Sequence, residues 1–212
     1  MNVIMNGVDL TEDIGIIVTD VTVSAPEPKT ITTEIPGRDG VLDQSKAVSG
    51  RINYANRVLT ILGYVKETYS QYLERCSKML NLIGGDIVEI ENAAEPDFVW
   101  SGRAAIEYEN VDAIHSEITI ECDVFPYKRK KADTVVQKTL TGAATGIVCK
   151  NLAEPVVPTI ETSAAMNIKF KDKTFDVQSG SHVLDIAFER GDNVLNVTGT
   201  GDVKITYREG SL

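Results

Sequence analysis

Between Thr33 and Lys46 the chain reads TEIPGRDGVLDQSK, setting Pro36, Gly37, Arg38, Asp39 and Gly40 in a row between two runs that read as strands. Three kinds of chemistry use such residues: a glycine loop cradling a phosphate, an aspartate doing acid–base work beside an arginine, or a sharp turn that presents charge. A phosphate cradle needs a helix opening directly behind its glycines, because the helix N-terminus supplies the aligned N–H groups. Here VLDQSKAVSGRINY follows, and it carries no helical stripe. Proline with glycine next is the grammar of a type II turn, in which the glycine takes a positive φ. The loop is therefore predicted to be a rigid turn with Arg38 and Asp39 projecting at its tip.

The other candidates for chemistry are sparse. His115 and His182 are the only histidines, and neither has a Ser, Cys or carboxylate at a triad spacing. His115 is expected to border a strand and His182 to lie in a turn. Asp86, Glu89, Glu91, Glu95 and Asp97 gather in GDIVEIENAAEPDF, but the order of a calcium loop is missing. Glu89 and Glu91 alternate with Val88 and Ile90, so an exposed strand face followed by an acidic loop is predicted. Cys76, Cys122 and Cys149 are far apart and odd in number, which suggests neither a zinc site nor a disulfide framework; Cys76 and Cys122 are expected to pack as small hydrophobes. GTGD near residue 200 lacks the helix of a dinucleotide site. No catalytic, cofactor-binding or metal-binding residue is assigned.

The elements that would position the loop are mostly strands. SEITIECDV points Ile118, Ile120, Cys122 and Val124 one way and its polar residues the other, as a half-buried antiparallel strand does. VKITYR repeats the pattern with Val203, Ile205 and Tyr207, and MNIKFKDKTFDV reads as a hairpin around Lys171-Asp172-Lys173. A tight turn is predicted at Gly199–Asp202. From Thr68 to Ile83 the period changes: Tyr72, Leu73, Cys76, Met79, Leu80 and Ile83 form one helical stripe, Thr68 and Gln71 fit a capping box, and Gly84-Gly85 fits a stop. A single helix among strands should cover one face of a sheet. Pro126 and the run Lys128–Lys131 mark a boundary, giving two expected domains, 1–131 and 132–212, the second almost wholly β.

The net charge of −10 is uneven: residues 1–127 hold 9 Lys+Arg against 21 Asp+Glu, and residues 132–212 are close to neutral. So acidic a first domain would repel phosphate, which argues against a nucleic-acid-binding face. Lys128–Lys131 is read as a solvated linker, with contact to an acidic neighbour as the next reading and nucleic acid as a distant third. No segment is long and apolar enough to span a membrane, and the N-terminus lacks the pattern of a signal peptide, so synthesis and assembly in a cytoplasm are expected.

IPGRDGVLDQS (Ile35–Ser45) followed by YANRVLTI (Tyr54–Ile61) resembles the signature of siphophage distal tail proteins. The helix at Thr68–Ile83, the stretch CDVFPYK ending at Lys128 and the closing GDNVLNVTGTGDVKITYREGSL are similar to that family at the level of pattern. The resemblance implies a mainly β chain: a sandwich-like, ring-forming first domain with one α-helix, then a galectin-like β-sandwich. It implies a homo-hexameric ring at the virion tail tip, with the tail tube protein above and the tail-associated fibre or lysin protein below. Receptor-binding or baseplate proteins would stand at its side. It implies no enzyme and no cofactor. It assigns interaction or structural roles to Pro36, Gly37, Arg38, Asp39, Gly40, Asn56, Arg57 and Pro126. Sugar binding is not carried over, because residues 132–212 hold no Trp and one His. Two other classes compete: a carbohydrate-binding sandwich, for which Trp100 and Tyr108 are the obvious aromatics, and another tail component such as a tube subunit or receptor-binding adaptor.

Overall fold

The computed structural model describes residues 2–66, 68–83, 85–112 and 114–212, with every side chain among them but that of residue 83. Alternating burial organises almost the whole chain into antiparallel strands, with one helix among the described residues. The chain divides into two compact units, Met1–Pro126 and Tyr127–Leu212.

In the first unit, β1 (Val3–Met5), β2 (Val8–Asp9), β3 (Ile17–Val23), β4 (Thr32–Glu34), β5 (Val41–Asp43) and β6 (Arg57–Lys66) precede the helix α1 (Tyr69–Ile83). Then come β7 (Ile87–Asn92), β8 (Phe98–Asn110) and β9 (His115–Val124). Seven strands form one sheet in the order β2-β1-β7-β8-β9-β6-β3, while β4 and β5 pair only with each other. The β9 alternation is as predicted: Ile118, Ile120, Cys122 and Val124 are buried. They face Leu59, Ile61 and Val65 of β6 and Val88 and Ile90 of β7 in a single core. Burial pushes the Cys122 thiol up to about 12, the behaviour of a packed hydrophobe rather than a nucleophile.

The helix buries only part of its predicted stripe, of which the side chain of Ile83 lies outside the described residues. Tyr72 meets Tyr108 of β8 edge to face at 6.2 Å and Met79 is fully buried, but Leu73 and Leu80 are 50% and 61% exposed. The contact runs through Tyr72 and Met79 of that stripe and through Leu82 beside it. Packing against one twisted strand covers a narrower strip than the sequence stripe offers, and aromatic stacking selects which side of it is buried. At the N-terminus, the Gln71 carboxamide accepts from the Thr68 backbone N–H at 3.0 Å, the returning half of the capping box. Of the expected stop, Gly84 lies outside the described residues, and Gly85 has φ 79°.

The second unit contains β10 (Lys128–Lys130), β11 (Thr134–Thr141), β12 (Thr145–Asn151), β13 (Thr159–Thr162), β14 (Met166–Phe170) and β15 (Lys173–Val177). It closes with β16 (Gly180–Val183), β17 (Gly191–Tyr207) and β18 (Gly210–Ser211). The first half of β17 pairs with β12 and β14, and its second half with β11 and β13. The two layers, β12-β17-β14-β15 and β11-β17-β13-β16, enclose one core containing Ile147, Ile168, Phe188, Leu195, Val203 and Ile205: a β-sandwich. The hairpin at Lys171-Asp172 is present. The predicted turn at Gly199–Asp202 is not, because the chain stays extended there and passes from one layer to the other. A Cβ on Gly201 would lie 2.4 Å from Ser163 Oγ, so the crossing needs a residue without one. His182 likewise lies in β16 rather than in a turn.

The boundary falls at 126/127 rather than 131/132, and the basic run explains the difference. Lys128–Lys130 is not a solvated linker: it is β10, paired with the closing strand β18. Arg129 makes a two-pronged contact with Glu154, at 2.9 and 2.5 Å. The Lys130 ammonium lies 2.6 Å from Glu209, a buried carboxylate that also accepts from Thr134 at 2.6 Å. The acidic neighbour is thus in the same unit.

Candidate functional site

Thirty-three residues separate the end of β3 from the start of β6, and they form an arm that stands off the sheet. Its rails continue the β3–β6 ladder outward. Ser24 N–H donates to Val58 O at 2.9 Å, Ala55 N–H to Glu27 O at 2.9 Å and Lys29 N–H to Asn53 O at 2.8 Å, with Pro28 bridging Tyr54. Beyond them β4 and β5 pair Thr32 with Asp43, Thr33 with Leu42 and Glu34 with Val41. Every residue from Glu27 to Val41 is exposed. Ile31 at 54%, Val41 at 53% and Val48 at 94% are apolar side chains with no core to enter.

The tip is the quoted loop. Arg38 N–H donates to Ile35 O at 3.1 Å, closing a turn with Pro36 and Gly37 at its centre, and Gly37 has φ 81°. This is the predicted type II turn. Beyond the adjoining residues, no atom lies within 4 Å of where a Gly37 Cβ would be, so glycine is favoured by backbone angle alone. Gly40, at φ 75°, brings the chain back into β5. Arg38 and Asp39 are exposed and form no ion pair among the described residues.

The root holds the other half of the motif. Asn56 donates its side-chain amide to Asp123 of β9 at 3.0 Å. Arg57 is only 8% exposed: its Nε donates to Ser24 O at 2.7 Å, and its guanidinium lies 4.9 Å from the centre of the Trp100 ring. Burial draws this guanidinium below its ordinary value, and the Glu95 carboxylate opposes the shift. Ser24 Oγ accepts from Val58 N–H at 2.9 Å, so one residue of the outgoing rail is tied to two of the returning one. Midway, Ser45 is buried, its Oγ accepting from Ile31 N–H at 2.9 Å and donating to Asp43 at 2.5 Å. The motif residues Pro36–Gly40 and Asn56-Arg57 therefore mark the two ends of a single projection. Ser24, Trp100 and Asp123, their partners at the root, carry no local sequence signal that would have named them. Pro126 ends the first unit two residues beyond β9.

The aromatics that a sugar platform would need are turned inward, since Trp100 is 5% exposed and Tyr108 packs against the core. The sheet's outer face is acidic. Asp20, Glu89, Glu107, Glu109, Glu117, Glu121 and Asp123 are exposed there against Lys66 and Arg103. Glu109 stands directly opposite Glu117, a like-charged pair that costs stability in any sheet. The whole of the first unit's excess lies outside the arm. Residues 25–56 carry 4 Lys+Arg and 4 Asp+Glu, while the rest of residues 1–126 carries 5 against 17, or −12. Among the described residues no cluster of His, Cys, Asp and Glu could hold a metal ion, and no helix is long and apolar enough to cross a membrane.

A helix-bearing antiparallel sheet with a free β arm, followed by a β-sandwich, defines a mainly β two-unit fold that a solved phage protein shares over its full length. That protein is Dit of phage SPP1, whose crystal structure is presented as a paradigm of the hub adsorption apparatus in phages infecting Gram-positive hosts. The likeness has a TM-score of 0.71 and covers 100% of this chain and 99% of that one, at 17% identity. No family model matches the chain, and no curated protein matches it.

Proposed function

We propose that this chain is a structural hub of a siphophage tail tip, a virion component assembled in the bacterial host, with no catalytic role of its own. The observation that carries the reading is the end-to-end fold likeness to a hub adsorption protein, with neither unit left over. In this reading six copies close into a ring that joins the tail tube protein to the tail-associated fibre or lysin protein. Receptor-binding or baseplate proteins attach at its periphery.

The arm supports the ring. A hairpin whose residues from Glu27 to Val41 are all exposed, apolar side chains among them, adds little to a monomer's core, but it is the kind of element that a heterologous, head-to-tail interface uses. Pro36, Gly37, Arg38, Asp39 and Gly40 then present the tip to a neighbour, and Asn56 and Arg57 fix the direction in which it points. The acidic outer face suits a wall along which DNA must pass without sticking, since like charge repels the phosphate backbone. Native mass spectrometry of the purified chain tests the reading: a mass of six subunits is expected. A protein that remains a single subunit at high concentration, or that grows as an open filament, would remove the hub in favour of a binding module or a tube subunit.

A further inference from the structure

A groove of about 700 Å³ lies on the outer face of the first unit's sheet, at the Lys66 end of β6. Its floor crosses three neighbouring strands, with Thr19 on β3, Leu62 and Tyr64 on β6 and Glu117 on β9. Asp112 and Ile114, between β8 and β9, stand at its end. Tyr64 and His115 meet edge to face at 5.6 Å in the floor. Leu62, Ile114 and Ile17, which pairs with Tyr64, are 39%, 65% and 44% exposed, so the groove offers apolar surface on an otherwise acidic face.

We propose that this groove is a docking site for a cationic amphipathic helix of a different protein. The inference goes beyond the hub reading and needs neither the ring nor the arm. Its first support is size. From Leu62 to Lys66 the strand covers about 13 Å, at a rise of about 3.3 Å per residue, and three adjacent strands span about 10 Å. A helix with its side chains is about 10–12 Å across and rises about 5.4 Å per turn, so two to three turns lie along this floor. The second support is polarity. The apolar stripe of such a helix sets its anchors on Leu62, Tyr64 and Ile114, burying surface that the chain alone leaves in water.

The third support is charge. Acids flank the floor on both sides: Asp20 beside Leu62 on one, Glu117 and Glu109 on the other. Asp112 adds another at the end, and Lys66 is the one fully charged base lining the groove among the described residues. Glu109 and Glu117 are directly opposite each other, and neither has an ion-pair partner among the described residues. Their repulsion destabilises the sheet, and a lysine or arginine set between them turns it into two attractions. A local rule broken on the surface, with no compensation inside the chain, marks a site whose compensation comes from outside. The same charge selects the partner. A second copy of this chain would bring a further −10, whereas a basic segment is drawn in.

The probe is a capped peptide of about 14 residues with leucine along one helical face and lysine on the other, compared with a counterpart carrying glutamate for lysine. Fluorescence anisotropy with the full chain is expected to give the lysine peptide a Kd below about 100 μM and the glutamate peptide one at least tenfold weaker. A benzophenone in the apolar face of the lysine peptide should crosslink to Leu62, Tyr64 or Ile114 of the wild-type chain. Glu117→Lys should weaken the lysine peptide at least tenfold, and it places a lysine opposite Glu109, so the sheet itself is not weakened. Glu89→Lys makes the same charge change on β7, two strands from β9, and should alter the affinity less than twofold. Equal losses in the two variants would show an acidic face that attracts the peptide without seating it, and would overturn the site. Equal binding of both peptides, crosslinks confined to other residues, or no binding of the lysine peptide would overturn it as well.

Discussion

Replacing Arg57 with alanine removes the clamp at the root of the arm, and its cost can be worked from the contacts. A charged hydrogen bond to a carbonyl, here Ser24 O at 2.7 Å, contributes about 1.5–3 kcal/mol. A desolvated cation over an indole adds about 1–2 kcal/mol. Against these stands the penalty of burying the guanidinium, visible in its lowered proton affinity. Ser24 is itself exposed, so water can take over its carbonyl. The lower end of the range therefore applies, a loss of about 2.5 kcal/mol, or roughly 10 °C in Tm for a unit of this size. Arg57→Lys keeps the charge but loses the planar donor and should fall between the two. Trp100 is the only tryptophan and sits under the lost side chain, so its fluorescence during urea unfolding reports on this site directly. An Arg57→Ala midpoint that corresponds to less than about 0.5 kcal/mol, the scatter of an ordinary surface substitution, would refute the clamp.

At the tip, Gly37→Val should leave the unfolding midpoint of the first unit nearly unchanged and reduce ring yield, because a β-branched residue resists φ 81° on an arm outside the core. Gly37→Asn should assemble better than Gly37→Val, and Arg38→Ala should be milder than Gly37→Val; equal hexamer yields by native mass for all three would reduce the loop to an ordinary turn. Gly102→Ala should be far worse for folding, by roughly 3 kcal/mol or more, since its Cβ would lie 2.2 Å from Asp123 O and backbone cannot yield as a side chain does; chemical denaturation measures this. Asp43 is held below its ordinary 3.8 first by the Ser45 hydroxyl and then by the Ser45 N–H. A depressed carboxylate contributes its stability above the unfolded value and loses it as pH falls through the folded one, so the Asp43–Ser45 tie should open only below about pH 4. An NMR titration should show the low midpoint in wild type and its return toward 3.8 in Ser45→Ala. Finally, duplex DNA should not be retarded by the protein even at low salt, where screening is weakest; a mobility shift there would remove the lumen role of the acidic face.

Local physics was enough for the features that repeat along the chain. Period-two alternation set the inward residues of β9 and of the end of β17, the change of period announced α1, and Pro36-Gly37 specified a type II turn, because each depends on neighbours a few residues away. Asn6-Gly7, at φ 49° and 79° between β1 and β2, is a local hairpin signal of the same kind. What the sequence could not convey is where distant residues meet. Arg129 and Lys130 look like a linker until Glu154 and Glu209, 25 and 79 residues away, come to them. Leu73 and Leu80 look buried until the packing of α1 on β8 selects a narrower strip. Trp100 and Tyr108 could have faced solvent, and the burial of one face of β8 turned both inward. The Pro-Gly-Arg-Asp-Gly loop and the Asn-Arg pair are likewise two unconnected motifs in the sequence. Only the pairing of Ser24 with Val58 and of Thr32 with Asp43 makes them the root and tip of one arm, because strand register is a long-range property settled by the whole sheet.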